Sequence, residues 1–180
     1  GRYLFRLAEL VRKHGEDLAM TDTLNVGKPI RDSRGFDVPA AIELFESYAG
    51  LSDKIAGRCH GTNPESVMFQ IREPLGVVGA VVPWNYPLSM AAWKLGPALA
   101  TGNCVILKPA EQSPLTAIRI AALATEAGIP DGVLNVFLFD EFGFHRDLHV
   151  GMPVVDRHLA DASDDDIVDP AVLAAVIPRL

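Results

Sequence analysis

A tryptophan and an asparagine lie between two prolines, directly after a short apolar run at residues 77–82. The β-branched residues of that run predict a strand that is buried on both faces. Pro83 and Pro87 cannot continue a central strand, so we expect the chain to leave the sheet there. Trp84 and Asn85 are then displayed at the carboxyl edge of the strand, where ligands bind in open α/β sheets. Because asparagine also often bonds its own turn, a ligand role and a turn role both stay open.

A lysine and a glutamate follow the next apolar run, which predicts a second buried strand at residues 104–107. Lys108 and Glu111 come directly after it, separated by a proline and an alanine. Strands that are joined by helices are parallel, so we expect both polar segments at one edge of one sheet. One interpretation of the two charged side chains is a ligand contact. The other is a surface ion pair, which would contribute little to stability.

Three segments in this order resemble the signature motifs of the NAD(P)-dependent aldehyde dehydrogenases. Residues 83–87 read Pro-Trp-Asn-Tyr-Pro, which resembles the family's Pro-Trp-Asn-Phe-Pro signature. Residues 108–111 read Lys-Pro-Ala-Glu, which resembles its Lys-Pro-Ser/Ala-Glu cofactor motif, and residues 92–103 between them also resemble the family. The resemblance covers about Arg2 to Val136 and implies the amino-terminal portion of such an enzyme, with a partial NAD-binding domain at residues 1–136.

The resemblance implies a role for five of these residues. Asn85 matches the family's side-chain donor to the oxyanion that forms when a cysteine thiolate attacks an aldehyde, and an amide suits this role because it donates without losing a proton. Lys108 is expected to contact the adenosine ribose hydroxyls, and Glu111 to bind the ribose diol. A carboxylate there would repel a 2′-phosphate, so NAD is expected in preference to NADP. Pro83 and Trp84 match positions that line the cofactor groove.

Other parts of that chemistry are missing from the sequence. In the resembling family the nucleophilic cysteine and the general-base glutamate belong to a separate catalytic domain far downstream. Cys59, which precedes His60, and Cys104, in the second predicted strand, match neither the context nor the order of that nucleophile. We therefore expect a fragment of an oxidoreductase that oxidises an aldehyde to a carboxylate with NAD(P)+ and has no turnover by itself. The alternative is a non-catalytic nucleotide-binding or oligomerising remnant.

The predicted fold class is α/β, with a partial Rossmann-like parallel sheet of order β-α-β-α-β preceded by two helices and a strand arm. The first helix is predicted at residues 3–24, and Asp37 is predicted to cap the second. A loop is expected at residues 51–64. Residues 66–72 alternate between apolar and polar side chains, which predicts a half-exposed strand. The resemblance implies that residues 66–73 serve oligomerisation, so the complete enzyme is expected to be a homo-oligomer.

The remaining elements follow from turn residues. Gly102 suits the left-handed conformation that ends a helix, and Gly128 is predicted to end the next one. Ser113 precedes a proline and is predicted to cap that helix. A third strand is predicted at residues 132–136.

Residues 137–180 depart from the family pattern. They contain several histidines and an acidic run at residues 164–166, but no lysine. Such a run is typical of a solvated surface rather than of metal ligands, so no metal site is expected. We interpret this segment as a divergent acidic tail, disordered or weakly helical, that arose by truncation, by a shifted reading frame or by fusion.

The charge and hydropathy of the whole chain argue against some classes of binding partner. The chain has 180 residues and a formal net charge of −7, which argues against nucleic acid or an anionic membrane surface as its main partner. No uncharged apolar run is long enough to cross a membrane. Its two cysteines have neither zinc-site spacing nor a disulfide framework, so a cytoplasmic location is expected.

Overall fold

The computed structural model describes residues 1–138, which form an α/β fold. A parallel sheet packs against helices, and a two-stranded antiparallel arm forms a separate sheet. The elements in chain order are α1 (Arg2–Lys13), α2 (Gly15–Val26), α3 (Ile30–Asp32), a π-helical turn (Ser33–Asp37), α4 (Val38–Leu51), β1 (Arg58–Asn63), β2 (Ser66–Gln70), β3 (Val77–Val81), α5 (Pro87–Ala100), β4 (Cys104–Lys108), α6 (Leu115–Glu126) and β5 (Leu134–Val136).

The parallel sheet has the order β3-β4-β5. Helix α5 connects β3 to β4, and α6 connects β4 to β5, so the predicted β-α-β-α-β order is confirmed. Right-handed crossovers that advance in one direction place their helices on the same face of a sheet. Helices α5 and α6 therefore cover one face, and Val105 and Leu107 of β4 are fully buried.

No helix or strand within residues 1–138 covers the other face of this sheet. The prediction that β3 is buried on both faces is therefore wrong for the described part of the chain. Val81 is 70% exposed, whereas Ala80 beside it is buried. Strand β3 also lies at the end of the strand order and pairs only with β4 within the described sheet. An apolar run predicts that a strand forms. It does not show whether residues 1–138 contain elements that cover both faces of that strand or only one.

The amino-terminal helices have different boundaries from the predicted ones. The helix predicted at residues 3–24 is two helices, because the chain breaks at His14, where φ is −100° and ψ is 18°. Asp37 does not cap α4 with its side chain, because the chain is already helical from Ile30 onward and has no free helix end there. Its carboxylate instead accepts hydrogen bonds from Lys28 and Ser89.

The antiparallel arm includes a strand that the sequence does not predict. Strand β1 lies in the region predicted as a loop and pairs with β2. Strand β2 ends at Gln70, and all of its residues are exposed, including Phe69 at 72%. The strand predicted at residues 66–72 is confirmed, but the prediction that one of its faces is buried is wrong, since no other described element covers either face of β2.

Two glycines end helices as predicted. Gly102 follows α5 with a φ of +83°, and Gly128 follows α6 with a φ of +87°. The third strand is confirmed but is shorter than predicted, because β5 begins at Leu134.

Helices α4 and α5 approach closely at Gly96, where a larger residue has no room. A β-carbon on Gly96 would lie 2.6 Å from Cδ2 of Tyr48 in α4. We expect Gly96→Ala to lower the free energy of unfolding by about 1–3 kcal/mol, as overpacking does. Gly50→Ala is the matched control, because a β-carbon there meets nothing within 4 Å. Urea denaturation measures both variants, and equal stability would contradict the close contact.

Candidate functional site

Two loops leave the sheet side by side at its carboxyl edge. They are the β3–α5 loop, residues 82–86, and the β4–α6 loop, residues 109–114. Val81, at the end of β3, pairs with Lys108, at the end of β4. One residue further, the Val82 N–H donates to the Lys108 carbonyl oxygen at 3.0 Å. The two predicted motifs therefore start from adjacent positions on one sheet edge.

A buried serine joins these loops. Ser113 is 1% exposed, and its hydroxyl donates to the carbonyl oxygen of Trp84 at 2.9 Å. The sequence predicts this serine as the cap of α6, but the helix begins two residues later, at Leu115, and shows no side-chain cap from its preceding residue. The hydroxyl instead fixes the backbone of the β3–α5 loop against the β4–α6 loop.

Asn25, near the end of α2, holds the β4–α6 loop from outside. Its Oδ1 accepts the N–H of Leu115 at 3.0 Å, and its Nδ2 donates to the carbonyl oxygen of Gln112 at 3.1 Å. An N–H in the first turn of a helix has no partner within the helix, so Asn25 satisfies one such group of α6. Sequence reasoning does not identify this role of Asn25, because its partners lie 87 and 90 residues away.

Asn25→Ala removes both contacts at once. We expect the free energy of unfolding to fall by about 1 kcal/mol, the usual cost of losing a side-chain cap. Gln112→Ala is the matched control, because it keeps the backbone carbonyl that Asn25 binds, and we expect it to change stability little. Thermal unfolding of the two variants side by side provides the measurement. A larger loss for Gln112→Ala than for Asn25→Ala would show that the amide does not hold the loop.

The polar and aromatic side chains of the β3–α5 loop are exposed. Trp84 is 56% exposed, and Pro83 and Asn85 are exposed too. Within residues 1–138 the side-chain amide of Asn85 makes no hydrogen bond. The turn role that the sequence leaves open requires such a bond. The amide is therefore available to a ligand at the sheet edge.

Lys108 and Glu111 form an ion pair across one turn of chain. The hydrogen bond from Lys108 holds the pKa of the Glu111 carboxyl below its usual value, so this carboxylate is ionised at neutral pH. Both side chains are partly exposed, at 27% and 43%. Such a pair contributes little to stability. The geometry fits both interpretations of these residues, the surface ion pair and the pair of polar contacts for a ligand.

The two cysteines lie away from these loops. Cys59 is exposed in the arm, and Cys104 begins β4, at the end opposite to Lys108. Four residues of extended chain separate Cys104 from Lys108 by about 13 Å. A cavity of about 240 Å³ also lies at the opposite, amino end of the strands, where Leu75, Arg72 and Asn103 contribute to its lining. Neither feature belongs to the predicted site.

Within residues 1–138, no three histidine, cysteine, aspartate or glutamate side chains come together as a metal site would require, and none of the helices has the length and hydropathy of a membrane span. The histidines and the acidic run of the predicted tail lie outside the described residues.

A buried charge network lies behind the β3–α5 loop. The ammonium of Lys28 approaches Asp37 Oδ2 at 2.8 Å and Asp22 Oδ2 at 3.2 Å, and both carboxylates are buried. Ser89, in the first turn of α5, donates to Asp37 at 3.0 Å. Thr116, in the first turn of α6, donates to Asp22 at 3.3 Å. The network therefore connects the segment from α2 to α4 with the starts of both crossover helices.

Asp22 and Lys28 have shifted pKa values. Burial raises the pKa of Asp22, and the nearby charge of Lys28 offsets this only in part. Burial acts to lower the pKa of Lys28, but the hydrogen bond with Asp37 and the two carboxylate charges outweigh it and raise that pKa. Lys28 is therefore a permanent cation at neutral pH. Sequence reasoning missed this network, although Asp22 lies four residues after the buried Leu18, on the apolar stripe of α2.

Comparison with known proteins decides the family. The model of the family described as "Aldehyde dehydrogenase family" matches residues 1–148. The chain belongs to the aldehyde dehydrogenase family. The match extends past Val136, where the motif resemblance ends, and so includes the first residues of the predicted tail.

Relatives within the aldehyde dehydrogenase family cover most of this chain. The NADP/NAD-dependent aldehyde dehydrogenase PuuC of Escherichia coli strain K12 is 54% identical over 133 residues, which are 74% of this chain and 27% of PuuC. The crystal structure of PnpE in complex with nicotinamide adenine dinucleotide is 44% identical with a TM-score of 0.76, over 79% of this chain and 29% of PnpE. The aldehyde dehydrogenase KauB from Pseudomonas aeruginosa is 51% identical with a TM-score of 0.75, over 79% of this chain and 29% of KauB. The chain thus spans little more than a quarter of the length of these relatives.

Proposed function

We propose that this chain supplies one part of the NAD site and one oxyanion donor of an enzyme that oxidises an aldehyde to a carboxylate with NAD(P)+. The observation that carries the proposal is the exposed, unbonded amide of Asn85, at a sheet edge that it shares with Lys108. In acyl chemistry of this kind a donor that is already in place stabilises the charge that develops on the carbonyl oxygen. The Asn85 amide would donate its N–H to that oxygen without giving up a proton.

Lys108, Glu111, Pro83 and Trp84 would form the nucleotide part of the site. The ionised carboxylate of Glu111 is partly exposed and can accept hydrogen bonds from two vicinal hydroxyl groups, which fits a ribose diol. Lys108 would contact the same ribose, and Pro83 with the exposed Trp84 ring would line the groove beside it. When bound, the nicotinamide accepts the hydride. The names of relatives include both NAD and NADP, and the carboxylate at Glu111 is our reason for favouring NAD.

The cofactor preference can be tested by calorimetric titration of the chain with NAD+ and with NADP+. We expect the wild type to bind NAD+ more tightly, because Glu111 repels a 2′-phosphate. Glu111→Gln removes the charge and should reduce the difference between the two affinities. Glu65→Gln is the control. It makes the same change of charge in the arm, outside the proposed site, and should leave the difference between the two affinities as it is in the wild type. Equal affinities of the wild type for both nucleotides would contradict the proposed role of Glu111.

The oxyanion role of Asn85 requires an active enzyme. We suggest a chimera in which residues 1–136 replace the matching segment of the Escherichia coli relative. Asn85→Ala is expected to lower its kcat by about 10²–10³-fold, the usual cost of losing one oxyanion donor. Asn63→Ala, at the end of β1 in the arm, is the control and should leave kcat unchanged. A wild-type kcat for the Asn85 variant would rule out the donor role.

We propose that the 180-residue chain by itself gives no steady NADH production with simple aldehydes, since neither Cys59 nor Cys104 lies beside Asn85. Turnover that Asn85→Ala abolishes would refute this. A second candidate function, oligomerisation, is favoured by the arm, whose apolar Val67 and Phe69 are 61% and 72% exposed. Light scattering of the wild type and of a Val67→Ser, Phe69→Ser variant tests it, because the oligomer should dissociate in the variant.

A further inference from the structure

The tyrosine of the β3–α5 loop packs against the half-buried ammonium of Lys28. The ammonium of Lys28 lies 4.3 Å from the centre of the Tyr86 ring, and the Lys28 side chain is only 13% exposed. A cation over an aromatic face is attracted by the electron-rich ring, and the attraction increases when water is excluded. Phe36 meets the same ring edge to face, with centroids 6.4 Å apart and an interplanar angle of 72°. Tyr86 thus has two partners although it is 44% exposed.

The cation itself has a fixed position. Asp22 and Asp37 hold the ammonium from two elements, and each carboxylate is held in turn by a hydroxyl group from α5 or α6. Asp37 accepts a hydrogen bond from Lys28, whereas Asp22 Oδ2 makes an ion pair with the ammonium but no hydrogen bond. Moving the ammonium would leave both buried carboxylates without a countercharge, which opposes its displacement. Lys28 therefore presents a fixed surface to the Tyr86 ring.

Asn85 lies between two anchored neighbours. On one side, the carbonyl oxygen of Trp84 is held by the buried Ser113. On the other, the Tyr86 ring is held by Lys28, and α5 begins at the next residue, the buried Pro87. The Asn85 amide has no bond of its own within the described chain. The backbone from which the Asn85 side chain projects is therefore held on both sides, and Lys28 contacts one of the two neighbours.

We propose that Lys28 is a positioning residue, which fixes the backbone that carries the Asn85 amide by holding the ring of Tyr86. The contacts of Lys28 with Tyr86 and of Ser113 with Trp84 are the evidence that the loop is anchored. That this anchoring helps Asn85 to stabilise an oxyanion rests on the proposed function. The two can be separated, because the order of the loop can be measured with no aldehyde and no nucleotide present.

The test is the backbone order of the loop by ¹⁵N relaxation in the full 180-residue chain. In the wild type we expect order parameters of about 0.85 for the amides of Trp84, Asn85 and Tyr86, as in rigid backbone. Tyr86→Leu removes the ring and Lys28→Met removes the cation, and each should lower these values below about 0.6. Tyr86→Leu changes an exposed side chain, so it reports on the loop even if Lys28→Met does not fold. Tyr86→Phe keeps the ring and should match the wild type.

If Lys28 only stabilised the fold, any variant of equal instability should disorder the loop to the same extent. Phe45→Ala, a change in the buried core of α4, should destabilise the fold without disordering residues 84–86. The proposal is overturned if Phe45→Ala disorders the loop as much as Lys28→Met does, or if Tyr86→Leu leaves its order at the wild-type value. It is also overturned if Tyr86→Phe disorders the loop, since the ring then is not what Lys28 holds. Failure of nucleotide binding in the wild type would count against the proposed function and leave this result unchanged.

Discussion

Replacing Lys28 with methionine is expected to lower the free energy of unfolding by about 3–5 kcal/mol at neutral pH. Methionine has nearly the same length and fills the same space, so the change removes the charge and little packing. The carboxylates of Asp22 and Asp37 would then remain buried with no cation between them. Lys13→Met is the matched control, because that lysine is 66% exposed and reaches Glu126 only at 3.8 Å. We expect the control to change stability by at most about 1 kcal/mol.

The effect of Lys28→Met should depend on pH with a definite sign. Burial already raises the pKa of Asp22 above its usual 3.8, and removing Lys28 takes away the charge that opposes this rise. A carboxyl whose pKa is raised on folding binds its proton more tightly in the folded chain, so stability falls as the pH rises past the unfolded pKa. The loss relative to the wild type should therefore be smallest in acid and grow towards neutral pH. Urea denaturation at several pH values measures it, and a loss that is independent of pH would contradict the buried-charge explanation.

Phe45→Ala is expected to cost about 3–5 kcal/mol of unfolding free energy, the usual range for a buried aromatic side chain. Phe45 is fully buried in α4, the helix that packs against both α1 and α5. The alanine variant leaves a cavity between α4 and its neighbouring helices. Because α4 packs against both α1 and α5, the helices cannot all move inward to fill this cavity. Leu24→Ala is the control, because Leu24 is 77% exposed and its loss should change stability by less than about 0.5 kcal/mol. Guanidinium denaturation of both variants provides the comparison, and similar losses would show that α4 is not central to the core.

The parts of the fold that the sequence predicts correctly depend on local signals. Apolar runs of six and four residues predict β3 and β4, and Gly102 and Gly128 end their helices because a left-handed backbone suits glycine. Proline brackets likewise predict that the chain leaves the sheet after β3. Each of these features is decided within a few residues, so a single sequence contains the necessary information.

The parts that the sequence does not predict depend on distant partners. Ser113 and Asp37 both have side chains that can cap a helix. In the folded chain, however, the Ser113 hydroxyl donates to the Trp84 carbonyl oxygen, and the Asp37 carboxylate accepts from Lys28. Asn25 caps a helix that begins 90 residues later. Strand β1 has a polar, glycine-containing sequence and forms because β2 pairs with it. Such contacts are known only once the topology brings the segments together.

An NMR titration of the isotope-labelled chain with NAD+ tests most directly whether the two loops form one nucleotide site. We expect the largest chemical-shift changes at the indole N–H of Trp84 and at the backbone amides of Lys108 and Glu111. Arg72 and Asn103, beside the cavity at the opposite sheet edge, should change little. No shifts at millimolar NAD+, or shifts that are largest at Arg72 and Asn103, would contradict a nucleotide site at the carboxyl edge of β3 and β4.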